Sequence, residues 1–230
     1  MIILALDALD LNLVKKFNCK NLMQREYGQT DLSEFKLERT VVLWASFLTG
    51  RNMEAKIPVE GQWEFKLETE ETFLKFFDSP KAIDVPAYSL RKENHKEERR
   101  LLKAYFNDEA SVEEYDRVVW KNHEENKKLL FQSFGKFDLI LSYFDLADAI
   151  GHLSFGILSK MKDIYEELEN LAKRVKDEDD FILTVSDHGM KAVGRYGDHS
   201  RNGFYSLNKT TGLNVPRITD FYQLIERVVR

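Results

Sequence analysis

Three continuous apolar runs mark this chain, and each one stops on a residue able to bind or react. Ile2 to Leu6 ends at Asp7, Phe137 to Phe144 leads into Asp145-Leu-Ala-Asp148-Ala-Ile-Gly151-His152, and Phe181 to Val185 runs through Ser186 into Asp187-His188-Gly189-Met190. Short unbroken apolar runs of this kind read as strands buried on both faces. Helical spacing separates them. Apolar residues at 41, 44, 47 and 48 predict a helix from Thr40, as its N-cap, to a stop at Gly50. A longer helix is predicted from Ser111 to Phe134, burying Tyr115, Val118, Val119, Leu129, Leu130 and Phe134; further helices follow over Met161 to Val175 and Ile218 to Val229, with a looser one from Leu11 to Met23. Met161 to Val175 returns the chain to the last apolar run, as a parallel crossover does, so the pattern predicts an α/β fold with a mostly parallel central sheet.

The stretch from Arg51 to about Lys136 has a different character. Gln62 to Glu68 alternates like a strand, Glu71 to Phe77 suggests a short helix, and Ala82 to Tyr88 is apolar but interrupted by Pro86. Arg91 to Lys103, dense in both charges, reads as an exposed helix or a mobile loop. His95 and His123 are expected there as solvated surface histidines. With no internal repeat and no low-complexity linker, the simplest organisation is one domain spanning 1–230 with an elaborated middle section, a small cap within about 51–136. Near the end, Gly194 to Leu207 reads as a glycine-containing loop followed by a short strand.

Composition narrows the class of partner. The chain has 230 residues, 43% hydrophobic and 32% charged, with a formal net charge of −5. A soluble globular protein is implied, and a nucleic-acid groove is excluded because it needs a basic footprint. A small anionic substrate stays possible, since a bound metal reverses the local field. Cys19 is the sole cysteine, which excludes an internal disulfide and points to the reducing cytoplasm. The apolar opening ends after six residues and lacks a basic start, so neither a signal peptide nor a membrane span is expected.

Carboxylates and imidazoles delivered at strand ends are placed where α/β sheets hold ligands. Each has a bland alternative: Asp7 as a helix cap, Thr40 as a cap, Asp187-His188 as a surface turn. Asp7 is preferred to Asp10 because it directly follows the strand. Asp148 and His152, four apart, share one face if that segment is helical, although Gly151 also suits a tight turn. Mixed oxygen and nitrogen donors suit Zn²⁺, with Mn²⁺ the alternative. Six such residues exceed the needs of one tetrahedral ion, so two divalent metals are implied, an arrangement used for phosphoryl transfer.

The order Asp7, Thr40 with Ser46 and Thr49-Gly50, Asp148-x-x-Gly151-His152, Asp187-His188-Gly189-Met190 and His199 resembles the alkaline phosphatase superfamily, and within it the type I phosphodiesterase/nucleotide pyrophosphatase branch. The resemblance implies a three-layer αβα sandwich. It further implies one metal held by Asp7, Asp187 and His188, a second held by Asp148, His152 and His199, and Thr40 as the nucleophile touching the first. Asp145 is the reserve ligand and Ser46 the reserve nucleophile. Hydrolysis of phosphodiester or pyrophosphate bonds in a small phosphate ester or nucleotide, through a covalent phosphothreonine, is the implied activity. A phosphomonoesterase or mutase-like enzyme of the same superfamily, or a catalytically silent metal-binding scaffold, are the alternatives. Val42 and Leu43 stand where the family often carries Pro and a phosphate-binding Asn, so positive charge is sought from Arg201 or Lys191.

Overall fold

The computed structural model describes residues 1–230. Its strands, in chain order, are β1 (Ile2–Leu6), β2 (Glu26–Gln29), β3 (Pro80–Ile83), β4 (Leu139–Phe144), β5 (Ile182–Val185), β6 (Gly189–Val193), β7 (Tyr196–Ser200) and β8 (Phe204–Leu207). Six of these form a sheet in the order β2-β8-β5-β1-β4-β3, with β6 and β7 set apart as a hairpin. β1 lies at the centre, parallel to both β4 and β5, and β3 extends the parallel set beyond β4. Only the β8 and β2 edge runs antiparallel to its neighbours. The sheet is therefore mostly parallel, as the apolar runs predict.

Seven α-helices complete the chain: α1 (Leu11–Lys16), α2 (Thr40–Thr49), α3 (Lys92–Phe106), α4 (Val112–Ser133), α5 (Leu146–Ser154), α6 (Leu158–Val175) and α7 (Asp220–Val229). Alternation along β1 divides the core. Ile2, Leu4 and Leu6 face one layer, which includes α1 and α4 to α6, while Ile3 and Ala5 face the other, built on α2 and α7. Three αβα layers result. Each helix carries its own local signal: α4 starts with a capping box between Ser111 and Glu114, α6 buries Met161, Ile164, Tyr165, Leu168, Leu171 and Val175 at helical spacing, and α2 stops at Gly50 in the left-handed conformation. α2 is buried on every side rather than along one stripe, because it is wedged between the sheet, α7 and the 3₁₀ turns around Phe73.

Several expectations are corrected. Gln62 to Glu68 forms no strand: a 3₁₀ turn covers Gln62–Glu64, and its alternation reflects Trp63, Phe65 and Leu67 packing on the core. The first helix ends at Lys16 rather than Met23, with Asn18 in the left-handed region at φ 56° breaking it. The glycine-containing loop after Met190 is the β6–β7 hairpin. α4 buries Tyr115, Val119 and Leu130, but Leu129 is 37% exposed and the buried face includes Asn122, His123 and Asn126. His123 is thus no surface histidine; its Nε2 lies 3.0 Å from Glu167, between Trp120 and Phe144. No helix is long and apolar enough to cross a membrane.

Candidate metal centre

The carboxyl ends of β1, β4 and β5 converge, and the chain turns sharply at each. After Asp7 the backbone enters the left-handed region at Ala8, φ 54°, a conformation that costs a non-glycine residue energy and is held by surrounding contacts. The amide of Leu9 donates to Ser186 Oγ at 2.9 Å and that of Ala8 to Asp187 Oδ1 at 3.4 Å, so the β1 and β5 ends are stitched together. Asp10 proves to be the cap: its carboxylate accepts from the amides of Asn12 and Leu13 at the start of α1. Asp7 caps nothing. Its Oδ2 accepts a short hydrogen bond from the Tyr143 hydroxyl, and its Oδ1 faces His188 Nε2 at 3.3 Å.

Asp187 and His188 lie behind it, fully buried. Oxygen and nitrogen atoms of Asp7, Asp187 and His188 come within 4.8 Å of one another, as do those of Asp148, His188 and His199. The segment from Asp148 to His152 is helical, so both side chains share a face of α5, with His152 Nε2 3.3 Å from Asp148 Oδ2. His199 arrives from β7 and sets its Nε2 3.3 Å from Asp148 Oδ1. It stacks on His188 with ring centroids 3.9 Å apart. The hairpin can press this closely onto α5 because Gly151 and Gly197 have no side chains: a Cβ at either would run into the Met190 sulfur, and one at Gly197 would also lie 2.7 Å from the Gly151 carbonyl oxygen.

Thr40 lines the same cavity as Asp7, Asp148, His152 and His199, a space of about 490 Å³. It is not the N-cap. Arg39 holds that position in extended backbone, its carbonyl accepting the first helical bond from Leu43, and Thr40 is the first residue of α2, making no capping bond. Its hydroxyl is thereby free for chemistry, beside first-turn amides that lack helical acceptors. Ser46 is excluded as a substitute nucleophile, since its hydroxyl is buried, donating to the Val42 carbonyl at 2.7 Å and accepting from Met53. Asp145 belongs to none of the groupings that the histidines form with Asp7, Asp148 and Asp187, although it lines the same cavity. Arg201 is tied to Glu38 and backbone carbonyls, and Lys191 to Asp198, so neither supplies charge to the cavity.

No protein-family model and no curated protein sequence matches this chain. Solved structures do resemble it. It superposes on the PH0037 protein from Pyrococcus horikoshii over 99% of its own length and 96% of that chain, with a TM-score of 0.56 at 11% identity. Against a TAB5 alkaline phosphatase variant with Mg bound in its M3 site, coverage is also 99% and 96%, with a TM-score of 0.56 at 12% identity. The fold is alkaline phosphatase-like. Murine ectonucleotide pyrophosphatase/phosphodiesterase 5 matches 85% of the chain at 14% identity and a TM-score of 0.47, and this chain spans only 58% of its length.

Within this alkaline phosphatase-like frame, the electrostatics suit cations. His188 Nδ1 donates to the Gly189 carbonyl at 3.0 Å and His199 Nδ1 to the Glu38 carbonyl at 2.8 Å. Such bonds fix the tautomer and turn the Nε2 lone pair inward. Both Nε2 atoms, with Asp7 Oδ1, Asp148 Oδ1 and Asp187 Oδ2, are buried without a hydrogen-bond partner. Burial and the neighbouring Asp148 push Asp7 up to about 7, and burial together with Asp7 raises Asp187 well above the carboxylate range. Burial and His199 lower His188 to about 3. Asp148 differs: against burial, His152 and His199 hold it well below its ordinary value, and against burial it lifts His199 to about 9. His188 thus keeps its Nε2 lone pair, and His199 Nε2 lies 3.3 Å from Asp148 Oδ1. Buried carboxylates and open imidazole nitrogens with no Lys or Arg among them fit divalent ions.

The third grouping of possible ligands, His123, Glu124 and Glu167, does not fit. Lys127 sits among them, its ammonium bonded to both glutamates. Sequence reasoning missed part of the cavity's lining, to which Trp63, His95, Glu98 and Tyr115 come from the middle section. His95 is not solvated: its ring stacks on Trp63 at 3.7 Å, and burial with Arg99 lowers it to about 4. The one available signal was a helical stripe of His95, Arg99, Leu102 and Phe106, hidden among charges.

Proposed function

We propose that this chain is a binuclear metal-dependent phosphohydrolase cleaving phosphodiester or pyrophosphate bonds in small phosphate esters or nucleotides. The observation that carries the reading is the pair His188 and His199, whose Nδ1 protons are spent on backbone carbonyls while their Nε2 atoms face Asp7 and Asp148 at 3.3 Å. Asp7, Asp187, His188 and the Thr40 hydroxyl would hold one ion; Asp148, His152 and His199 would hold the other. Zn²⁺ suits these donors best, with Mn²⁺ second, and an alkaline phosphatase that binds Mg among the structural neighbours supports divalent chemistry. Bound there, the ions would supply Lewis acidity toward phosphoryl oxygens and a lower pKa for the Thr40 hydroxyl.

The chain's own groups do the rest. Thr40 attacks phosphorus from the N-terminus of α2, where free amides and the helix dipole favour phosphoryl oxygens in the absence of the usual Asn. A phosphothreonine ester forms as the ester bond breaks. Water then attacks phosphorus and frees Thr40, so two in-line displacements retain configuration. Tyr143 orients Asp7 through its hydroxyl. Residues within 51–136 act as a small cap, contributing Trp63 and His95 to the cavity wall. A cytoplasmic setting suits a protein whose only cysteine is buried and unpaired.

The test is hydrolysis of a nitrophenyl phosphodiester by purified protein loaded with Zn²⁺ or Mn²⁺. Turnover is expected, and Thr40→Ala is expected to abolish it while metal content stays unchanged. Protein that binds no divalent metal and cleaves no ester, or a Thr40→Ala variant as active as its parent, overturns the reading.

A further inference from the structure

Six cationic side chains lie on α3 and its cap, and four of them are neutralised. Arg91 pairs with Asp84 and Glu125, Lys92 with Glu64, Lys96 with Glu93, and Arg100 with Glu97. Arg99 and Lys103 make no ion pair and no side-chain hydrogen bond. These two are also the ones that line the cavity shared by Thr40 and Asp148. They stand one helical turn apart, on the face that carries His95, Leu102 and Phe106 to the same space. Like charges so placed repel, and an anion between them relieves the repulsion.

Arg99 is positioned without being neutralised. Its guanidinium lies 5.5 Å over the Trp63 ring, on which His95 stacks at 3.7 Å. An aromatic face orients a guanidinium while leaving its charge and its N–H donors available. The carboxylates of the lining do not take them up: Glu38 holds Arg201, Glu98 Oε1 accepts from Asn122 at 2.6 Å, and neither Glu98 nor Asp145 pairs with Arg99 or Lys103. Arg39, the third cation of the lining, has its guanidinium bonded to the Glu54 and Ile57 carbonyls. Thr40 and the proposed metal ligands account for one phosphoryl group, which fills a small part of about 490 Å³. The remaining lining includes Trp63, Leu102 and Phe106 with the two free cations.

We propose that Arg99 and Lys103 bind a second anionic group of the substrate, a phosphate or a carboxylate, so that the preferred esters carry two negative groups joined by a short linker. The proposal rests on the phosphohydrolase reading and narrows its substrate class. Arg99 engages the second anion through its planar fork of donors and Lys103 as a point charge. This contact lies away from phosphorus and is the same before and during the reaction, so it acts on KM more than on kcat. The cap therefore selects the substrate: α3 supplies both cations, and Trp63 holds one of them in place.

Competitive binding to the metal-loaded full chain tests this, with short alkyl phosphates as reference and alkanediol bisphosphates and ω-carboxyalkyl phosphates of matching chain length as probes. Affinities are read by calorimetry and by inhibition of nitrophenyl phosphodiester hydrolysis. The best doubly anionic probe is expected to bind about 5–50-fold tighter than its alkyl reference, the worth of a charge-assisted hydrogen bond reduced by solvent screening. Which probe gains more tells phosphate from carboxylate. Arg99→Gln and Lys103→Gln should each shrink the advantage, while Arg100→Gln, on the same helix but outside the cavity lining, should leave it intact. No advantage for any doubly anionic probe overturns the proposal. So does an equal loss in Arg100→Gln, which makes it a general field of the helix, or an advantage that survives the double variant, which assigns it to the metals. Equal weakening of reference and probe in Arg99→Gln places the cations on the reacting phosphoryl group and also overturns it. Parent protein that neither hydrolyses the diester nor binds alkyl phosphate would instead bring down the phosphohydrolase reading beneath.

Discussion

The two halves of the proposed metal centre are built by different means. Asp7, Asp187 and His188 follow directly from the ends of adjacent parallel strands, with side chains at most 1% exposed. Asp148, His152 and His199 hang on α5 and the β6–β7 hairpin, with side chains 15%, 31% and 23% exposed. For the inner half, the pairing of Ile2 with Ile182 through Ala5 with Val185 delivers Asp7 and Asp187 side by side as soon as the strands pair. The outer half has no ladder to set it. Its geometry depends on a helix and a hairpin meeting at two glycines. The inner half is therefore inseparable from the sheet, while the outer half can be loosened alone.

The strongest way to break this comparison is Asp187→Ala. It removes an inner ligand and should abolish turnover while weakening metal binding by more than the roughly 10–100-fold typical of outer-shell partners. Titration with Zn²⁺ beside a phosphodiester assay measures both. Two ions bound at parental affinity would show that the strand ends do not form the inner half. Next in size, His152→Ala should weaken one ion only, yet leave the metal-free protein's melting point within about 2 °C, because the residue is half-buried on a helix face that accepts alanine. A large melting shift would mean that the outer half is as embedded as the inner one.

The smallest effect is on pH dependence, and it separates the halves by window. In the metal-free protein Asp7 is raised from 3.8 to about 7 by burial and Asp148, so the native state binds more protons than the unfolded chain between these values. Stability should fall as pH rises through that window. His199, raised from 6.5 to about 9 against burial by Asp148, extends the fall into the alkaline range by the same sign. Urea unfolding of metal-free protein across pH should show Asp7→Asn flattening the acidic window and His199→Gln the alkaline one. Identical pH curves for both variants and the parent would contradict the assigned environments.

Much of the inner half was legible because its signals are local. An apolar run that stops on Asp7, or on Asp187-His188, announces a buried strand and its ligands within a few residues. Asp148 and His152 were legible for a similar reason, being one helical turn apart. Thr40 was singled out by the family resemblance, since its position alone favoured a cap, and that assignment as the cap was wrong because the cap is decided by the backbone angle of Arg39 and not by side-chain preference. His95 and His123 were misjudged because charged neighbours in sequence say nothing of what packs above: Trp63 covers one, and Glu167 and Phe144 the other.

The amino-acid order by itself determined which strands are buried, that the helix after Met161 crosses between two of them, and which carboxylates and imidazoles stand at their ends, because periodicity and strand termination are written over short spans. Tertiary structure alone decided that Tyr143 holds Asp7 and that two glycines let His199 reach Asp148. Each of those depends on contacts between segments far apart in the chain, and their close approach is set by how layers pack and which groups are cut off from water, which no local pattern encodes.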